Sequence, residues 1–214
     1  MALQDMINTF QSILNRDDCS ATQAQAFVLQ GIGRVQRECR LPSMERQQVI
    51  TPTGPVKWIT VPSDLIEIID VIVPDPQGVP KALRKTSYRE LIRVDPTDQP
   101  WCYARFQAQI FLAGTLQGPN PAVSWAPTIN LLYYGQFTPF TSLTAENELS
   151  MSAPDLAVYA GLVYAASVYR NDSKDDWETT YQTIRSEVQG MAIDLEMTGG
   201  PAVVSPLYHY GEYA

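Results

Sequence analysis

The sequence predicts an α+β fold: a small helical bundle from N- and C-terminal helices, an inserted antiparallel β region, and an extended C-terminal arm. Three observations predict it. Apolar residues recur at three- and four-residue spacing near both ends of the chain, the period of one helix face. Short runs rich in Val, Ile and aromatic residues, separated by Gly and Pro, fill the middle and read as strands joined by turns. Beyond Gly199 the periodicity stops. The expected division is 1–46 with 150–197 as the bundle, 47–149 as the inserted β-rich region, and 198–214 as the arm.

The first helix is carried by Leu3, Met6, Ile7, Phe10, Ile13 and Leu14, and Arg16-Asp17-Asp18 interrupts it. Ser20 and Gln23 form a capping-box pattern at the start of a second helix. Its apolar face is Phe27, Val28, Ile32, Val35 and Cys39. Gly31 and Gly33 each weaken it by about 1 kcal/mol against Ala, and the pair permits a kink or the close approach of another backbone. Pro42 ends the helix.

From Gln47 the period changes. Residues 49–51 and 56–60 flank Pro52-Thr53-Gly54-Pro55, which predicts a hairpin. Leu65 to Val73 predicts a strand that stops at Pro74-Asp75-Pro76, and Tyr88 to Arg93 a short helix. Trp101 to Phe106, Ile110 to Leu112 and Ile129 to Tyr134 predict further strands. In the next helix Ser152 is the expected cap, Pro154 suits the first turn, and Asp155 complements the positive helix start. Ala157, Ala160, Gly161, Ala165 and Ala166 allow close approach of another helix. The last helix begins near Ser173. Trp177, Tyr181, Ile184, Val188, Met191 and Leu195 alternate four and three residues apart, a heptad-like seam expected to be bundle core. Gly199-Gly200-Pro201 stops it.

Composition narrows the function. A chain of 214 residues can bury a core without metals or disulfides. Only 18% of residues are charged and 45% are hydrophobic, a balance that implies surface buried against partners. The net charge of −8 argues against nucleic-acid binding by counterion release, although such a chain can surround DNA without gripping it. There is no run of eighteen apolar residues, so no membrane span is expected. The N-terminus lacks the pattern of a signal peptide, so a cytosolic product is expected. Cys19, Cys39 and Cys102 read as free thiols.

Catalytic patterns are missing. The single histidine, His209, lies in the arm, which argues against His-based triads and His-rich metal sites. Gly31-Ile32-Gly33 lacks the strand and third glycine of a phosphate-binding loop. Asp17-Asp18 and Asp175-Asp176 lie near helix starts, where carboxylates are favoured electrostatically. Basic residues cluster at Arg34, Arg37, Arg40 and Arg46, and at Lys81, Arg84, Lys85, Arg89 and Arg93. Neither cluster is embedded in an aromatic stacking pattern, and salt bridges to an acidic neighbour are expected rather than phosphate contacts. No catalytic, cofactor-binding or metal-binding residue is assigned. Leu207, Tyr208, Tyr210 and Tyr213 give the arm the large apolar side chains of interface anchors, and are assigned as partner-binding residues.

Several segments together resemble the head-to-tail adaptor (connector) proteins of short-tailed bacteriophages. They are Arg34-Val35-Gln36-Arg37-Glu38 with Pro42-Ser43-Met44-Glu45, then Val61-Pro62-Ser63-Asp64-Leu65-Ile66-Glu67-Ile68, then Asn130-Leu131-Leu132-Tyr133-Tyr134 followed by Phe137 and Leu143. The last joins residues 153–162 to Asp175-Asp176-Trp177 and Tyr181, and the shared order runs from about residue 20 to 196. The resemblance implies a non-enzymatic virion protein of the neck or tail, made in the host cytoplasm. It implies a homo-oligomeric ring, expected to be a dodecamer, that binds the portal protein and a tail nozzle or hub protein. Duplex DNA would only pass through its channel, and the C-terminal extension would contact portal or a neighbouring subunit, with portal preferred. The alternatives are another ring-forming neck or tail-completion protein and, in a different class, a cell-wall hydrolase. The latter would need a carboxylate acid such as Glu146 or Glu148.

Overall fold

Capping chemistry and apolar spacing set the helices before any long-range contact forms. A computed structural model describes residues 1–75, 77–93, 100–116 and 128–197 of the chain, apart from the side chains of Thr115 and of 192–197. The fold is mixed α+β and divides into two units, 1–43 with the residues from 138 onward, and 44–137.

In the helical unit α1 spans Leu3–Leu14 and α2 spans Ala21–Glu38. α1 buries Leu3, Met6, Ile7, Phe10 and Leu14 along one stripe, and Asn15 closes it in the left-handed conformation. At α2 the expected capping box is present: the Gln23 amide donates to Ser20 Oγ at 3.3 Å, and the Ser20 amide donates to Gln23 Oε1 at 2.9 Å. The short α4 spans Glu148–Ser152, α5 spans Pro154–Tyr169 and α6 spans Lys174–Met197. α5 is apolar on every side and is the buried centre of the unit, with Leu156, Ala157, Ala160, Leu162 and Ala165 inaccessible to solvent.

Two sequence expectations change here. Ser152 does not cap α5. It ends α4, which Asn147 caps by accepting the Ser150 amide at 2.9 Å, and Ser152 Oγ donates back to the Glu148 carbonyl. The N-cap of α5 is Ala153, with Pro154 at the first turn as expected. The α6 seam is core only in part. Tyr181 is fully buried, Trp177, Ile184 and Val188 are half-buried, and Met191 is 64% exposed. A seven-residue repeat drifts by about 20° per heptad on a straight helix, so its later members turn away from the core.

The β unit follows a single 3₁₀ turn, Pro42–Met44, which begins in the helical unit. Its strands are β1 Glu45–Ile50, β2 Val56–Thr60, β3 Leu65–Pro74, β4 Pro80–Ala82, β5 Arg84–Lys85, β6 Cys102–Phe106, β7 Gln109–Leu116 and β8 Ile129–Gly135. One sheet has the order β1-β8-β3-β4 and the other β2-β7-β6-β5. All pairings are antiparallel except the short β5–β6 contact, which is parallel. Helix α3, Tyr88–Leu91, lies between β5 and β6 in sequence. β8 alternates perfectly, burying Ile129, Leu131, Tyr133 and Gly135, and joins Ile68, Val71, Ile59, Ile110 and Leu112 in one core shared by both sheets.

The expected hairpin of residues 49–51 with 56–60 does not form. β1 pairs with β8 and β2 with β7, so the two strands belong to different sheets. Pro52 and Pro55 cannot donate to a ladder, and the connection carries the chain around a corner rather than back along itself. The pairing of β2 and β7 is broken by a bulge between Val56 and Trp58, and Gly114 there adopts φ 120°.

Candidate interaction surfaces

The residues that could have carried chemistry are used structurally. Asp18 pairs with Arg16 at 2.8 Å, and Asp175 and Asp176 lie in the first turn of α6. Glu148 opens α4 and accepts from the Thr138 amide at 2.9 Å and its hydroxyl at 2.7 Å. Glu146 takes an ion pair from the Met1 amino group at 2.8 Å. Cys19, Cys39 and Cys102 are free and buried, and burial pushes the Cys39 and Cys102 thiols up. Among the described residues no group of His, Cys, Asp and Glu could hold a metal, and no helix is long and apolar enough to cross a membrane. His209 and the four arm residues Leu207, Tyr208, Tyr210 and Tyr213 lie outside the described residues.

The first basic cluster is not a patch. Arg34 bridges Glu38 at 2.9 Å and Glu178 at 2.7 Å, with its guanidinium 4.1 Å from the Tyr181 ring centre. Tyr181 donates its hydroxyl to Glu38 at 2.7 Å. This network ties α2 to α6, and the seam spacing alone gave no sign of it. Hydrogen bonding to Arg34 holds the Glu178 carboxyl below its ordinary range. At Glu38 partial burial works the other way, but the bonds from Arg34 and Tyr181 outweigh it and the net shift is also downward. Arg37 donates to the Tyr164 hydroxyl at 3.1 Å, and Arg40 to the carbonyls of Gln36 and Cys39. Arg46 belongs to the β unit, where it pairs with Asp64 at 3.3 Å beside Gly135.

The second cluster stays on the surface. Lys81 pairs with Asp75 at 3.1 Å. Arg84, Lys85 and Arg89 are exposed and make no ion pair among the described residues, as do Lys57 on β2 and Arg105 on β6. Tyr88 stacks on Phe106 with ring centres 4.4 Å apart and lies 5.0 Å from Phe111. Trp58 stands opposite Phe111 in the β2–β7 ladder, and Phe111 opposite Ala104 in the β6–β7 ladder, so these positions share one sheet face. Trp58 and Phe106 are 47% and 44% exposed. The expectation that the basic clusters lack aromatic partners fails at Arg34, which lies over the Tyr181 ring. Trp58 and Phe111 come from strands distant in sequence, and only the register brings them together. Beside Trp58 an apolar cleft of about 650 Å³ is lined by Ile50, Pro52, Pro55, Val56 and Lys57.

Charge is unevenly divided. Residues 44–137 carry eight basic and eight acidic side chains, so the remainder carries seven basic and fifteen acidic and holds the whole net charge of −8. α6 alone has two basic and six acidic residues, a net −4.

No curated protein matches the chain. Residues 1–205 match the SU10 adaptor protein family. That span includes both units and the ordered motifs from Arg34 to Tyr181 that carried the resemblance. The chain belongs to the SU10 adaptor protein family, a family of phage head–tail adaptors that are structural virion proteins rather than enzymes.

Proposed function

We propose that this protein is one subunit of a homo-oligomeric ring that joins the portal to the tail and lines the DNA exit channel. The family match over residues 1–205 carries the reading. Two features support it: exposed apolar and aromatic side chains on both units, and a net charge of −8 that disfavours gripping DNA in a channel. The ring is twelve-fold and assembles on the portal, while the free chain is a monomer or small oligomer. Its partners are the portal protein above and a tail nozzle or hub protein below. The arm, 198–214, with Leu207, Tyr208, Tyr210 and Tyr213 as anchors, attaches to the portal. Cosedimentation with purified portal rings tests this. Stoichiometric comigration is expected, and failure to bind under conditions that assemble intact tails would overturn it. The other ring-forming neck and tail-completion proteins have no observation in their favour beyond shared composition.

A further inference from the structure

We propose that neighbouring subunits join by seating α6 of one copy on the aromatic, cationic face of the β2-β7-β6-β5 sheet of the next. This rests on the ring reading and specifies its contact. The β face offers Trp58 and Phe106, each nearly half exposed, with Tyr88 stacked behind Phe106. Arg84 on β5 and Arg89 on α3 have no ion-pair partners among the described residues, and Arg84 pairs with Cys102 in the β5–β6 ladder and so shares the face of Ala104 and Phe111. Arg84 is close enough to Glu90 to help lower its carboxyl, but Thr86 and Ser87 supply the hydrogen bonds that hold that carboxylate. Arginine beside rigid aromatic rings is the composition of an interface anchor.

α6 offers the complement in both shape and charge. Ile184 and Val188 are half-buried and Met191 is 64% exposed, so the later part of the seam is only partly covered among the described residues. Asp176 and Glu187, both exposed, are eleven residues apart, about three helical turns, and so lie on one stripe of the helix. Glu187 is three residues beyond Ile184 and four before Met191, beside the apolar residues. An apolar ridge edged with acid thus faces aromatic rings edged with unpaired cations. The apolar cleft next to Trp58 gives the ridge a concave place to enter. The two surfaces differ, so the contact is head-to-tail, the kind that closes into a ring when the rotation per subunit allows. α6 carries −4 of the net −8 that lies outside the β unit, and in the ring that excess meets the neighbour's exposed cations.

Charge reversal tests this by sedimentation equilibrium of the full chain at low ionic strength. Arg84→Glu with Arg89→Glu, and separately Asp176→Lys with Glu187→Lys, should each weaken self-association at least about tenfold. Carrying all four reversals in one chain should restore it to within about threefold, because every contact is then reversed on both sides. Trp58→Ala, which changes no charge, should weaken association as well, and covers the case in which a reversed helix fails to fold. The proposal is overturned if the combined variant stays as weak as either pair. It is also overturned if Arg84→Glu with Arg89→Glu and Trp58→Ala leave self-association unchanged, which would assign the β face to another partner. Where the wild-type chain alone stays monomeric, the same variants are read as the number of copies bound per purified portal ring, and undiminished occupancy by Arg84→Glu with Arg89→Glu and by Trp58→Ala overturns the proposal. In each of these cases the ring itself is judged separately, by cosedimentation with portal.

Discussion

Replacing Gly31 with Ala should destabilise the helical unit, although helix propensity alone says the opposite. Gly to Ala inside a helix is worth about 1 kcal/mol in favour of Ala. At Gly31, however, a Cβ would run into the Ala157 carbonyl oxygen and lie 2.7 Å from the Gly161 amide nitrogen and 3.2 Å from its Cα. Those obstacles are backbone of the buried helix α5, which cannot swing aside as a side chain would. A Cβ at Gly161 would in turn lie 2.8 Å from the Phe27 carbonyl oxygen, so the crossing is tight from both sides. Overpacking a dense core costs about 1–3 kcal/mol, and a backbone obstacle belongs at the upper end. After the propensity gain the net loss is about 2 kcal/mol. In a protein of this size that lowers Tm by about 4–8 °C. Gly33 is the control, because its Cβ would meet only Arg37 Nη1 at an ordinary 3.5 Å. Gly33→Ala should raise Tm by about 2–4 °C. Far-UV circular dichroism melts of the two variants decide the matter. If Gly31→Ala raises Tm as Gly33→Ala does, the α2–α5 crossing is not the close contact described.

Other outcomes follow from the same structure. Arg34→Met should cost about 2 kcal/mol, discounted because both carboxylate partners keep some water. The folded-state carboxyls of Glu38 and Glu178 lie below their ordinary values, so their stabilisation is present at neutral pH and is lost as pH falls below about 4.5. Acid titration of Tm should therefore be shallower in Arg34→Met, and an unchanged slope would remove the network from the account. Met191→Asp should leave Tm within about 2 °C of wild type, while Tyr181→Ala, which empties a fully buried site, should cost about 3 kcal/mol. A ring of twelve copies at −8 would carry −96 formal charges, so no duplex DNA binding is expected at physiological salt. Submicromolar binding with a steep salt slope would overturn that and implicate the exposed basic residues. Deleting 200–214 should leave Tm unchanged and weaken attachment to portal, and undiminished attachment would make the arm a bland tail.

What could be read from the sequence was what depends on neighbours in the chain. The Ser20–Gln23 box, Pro154 at a helix start and the strand over Ile129 to Tyr134 are local patterns, and each stands where it was expected. Pairing between strands was not legible. Residues 49–51 and 56–60 have the composition of a hairpin, but nothing in them says that β8 and β7 are better partners. β4 and β5 were missed because exposed two- and three-residue strands carry no periodicity. α4 was missed because Ser152 has the same cap chemistry whether it starts a helix or ends one. The Arg34–Glu38–Tyr181–Glu178 network spans residues more than 140 positions apart, and the aromatic face of the β unit exists only once register sets Trp58 against Phe111.

The ring account meets its most direct test in a cryo-EM reconstruction of the phage neck with this chain placed. The account predicts a closed ring of copies between portal and tail, surrounding the DNA channel, with residues 198–214 ordered against the portal. Density for the chain at the tail tip or on the capsid surface, or a single copy off the channel axis, would contradict it.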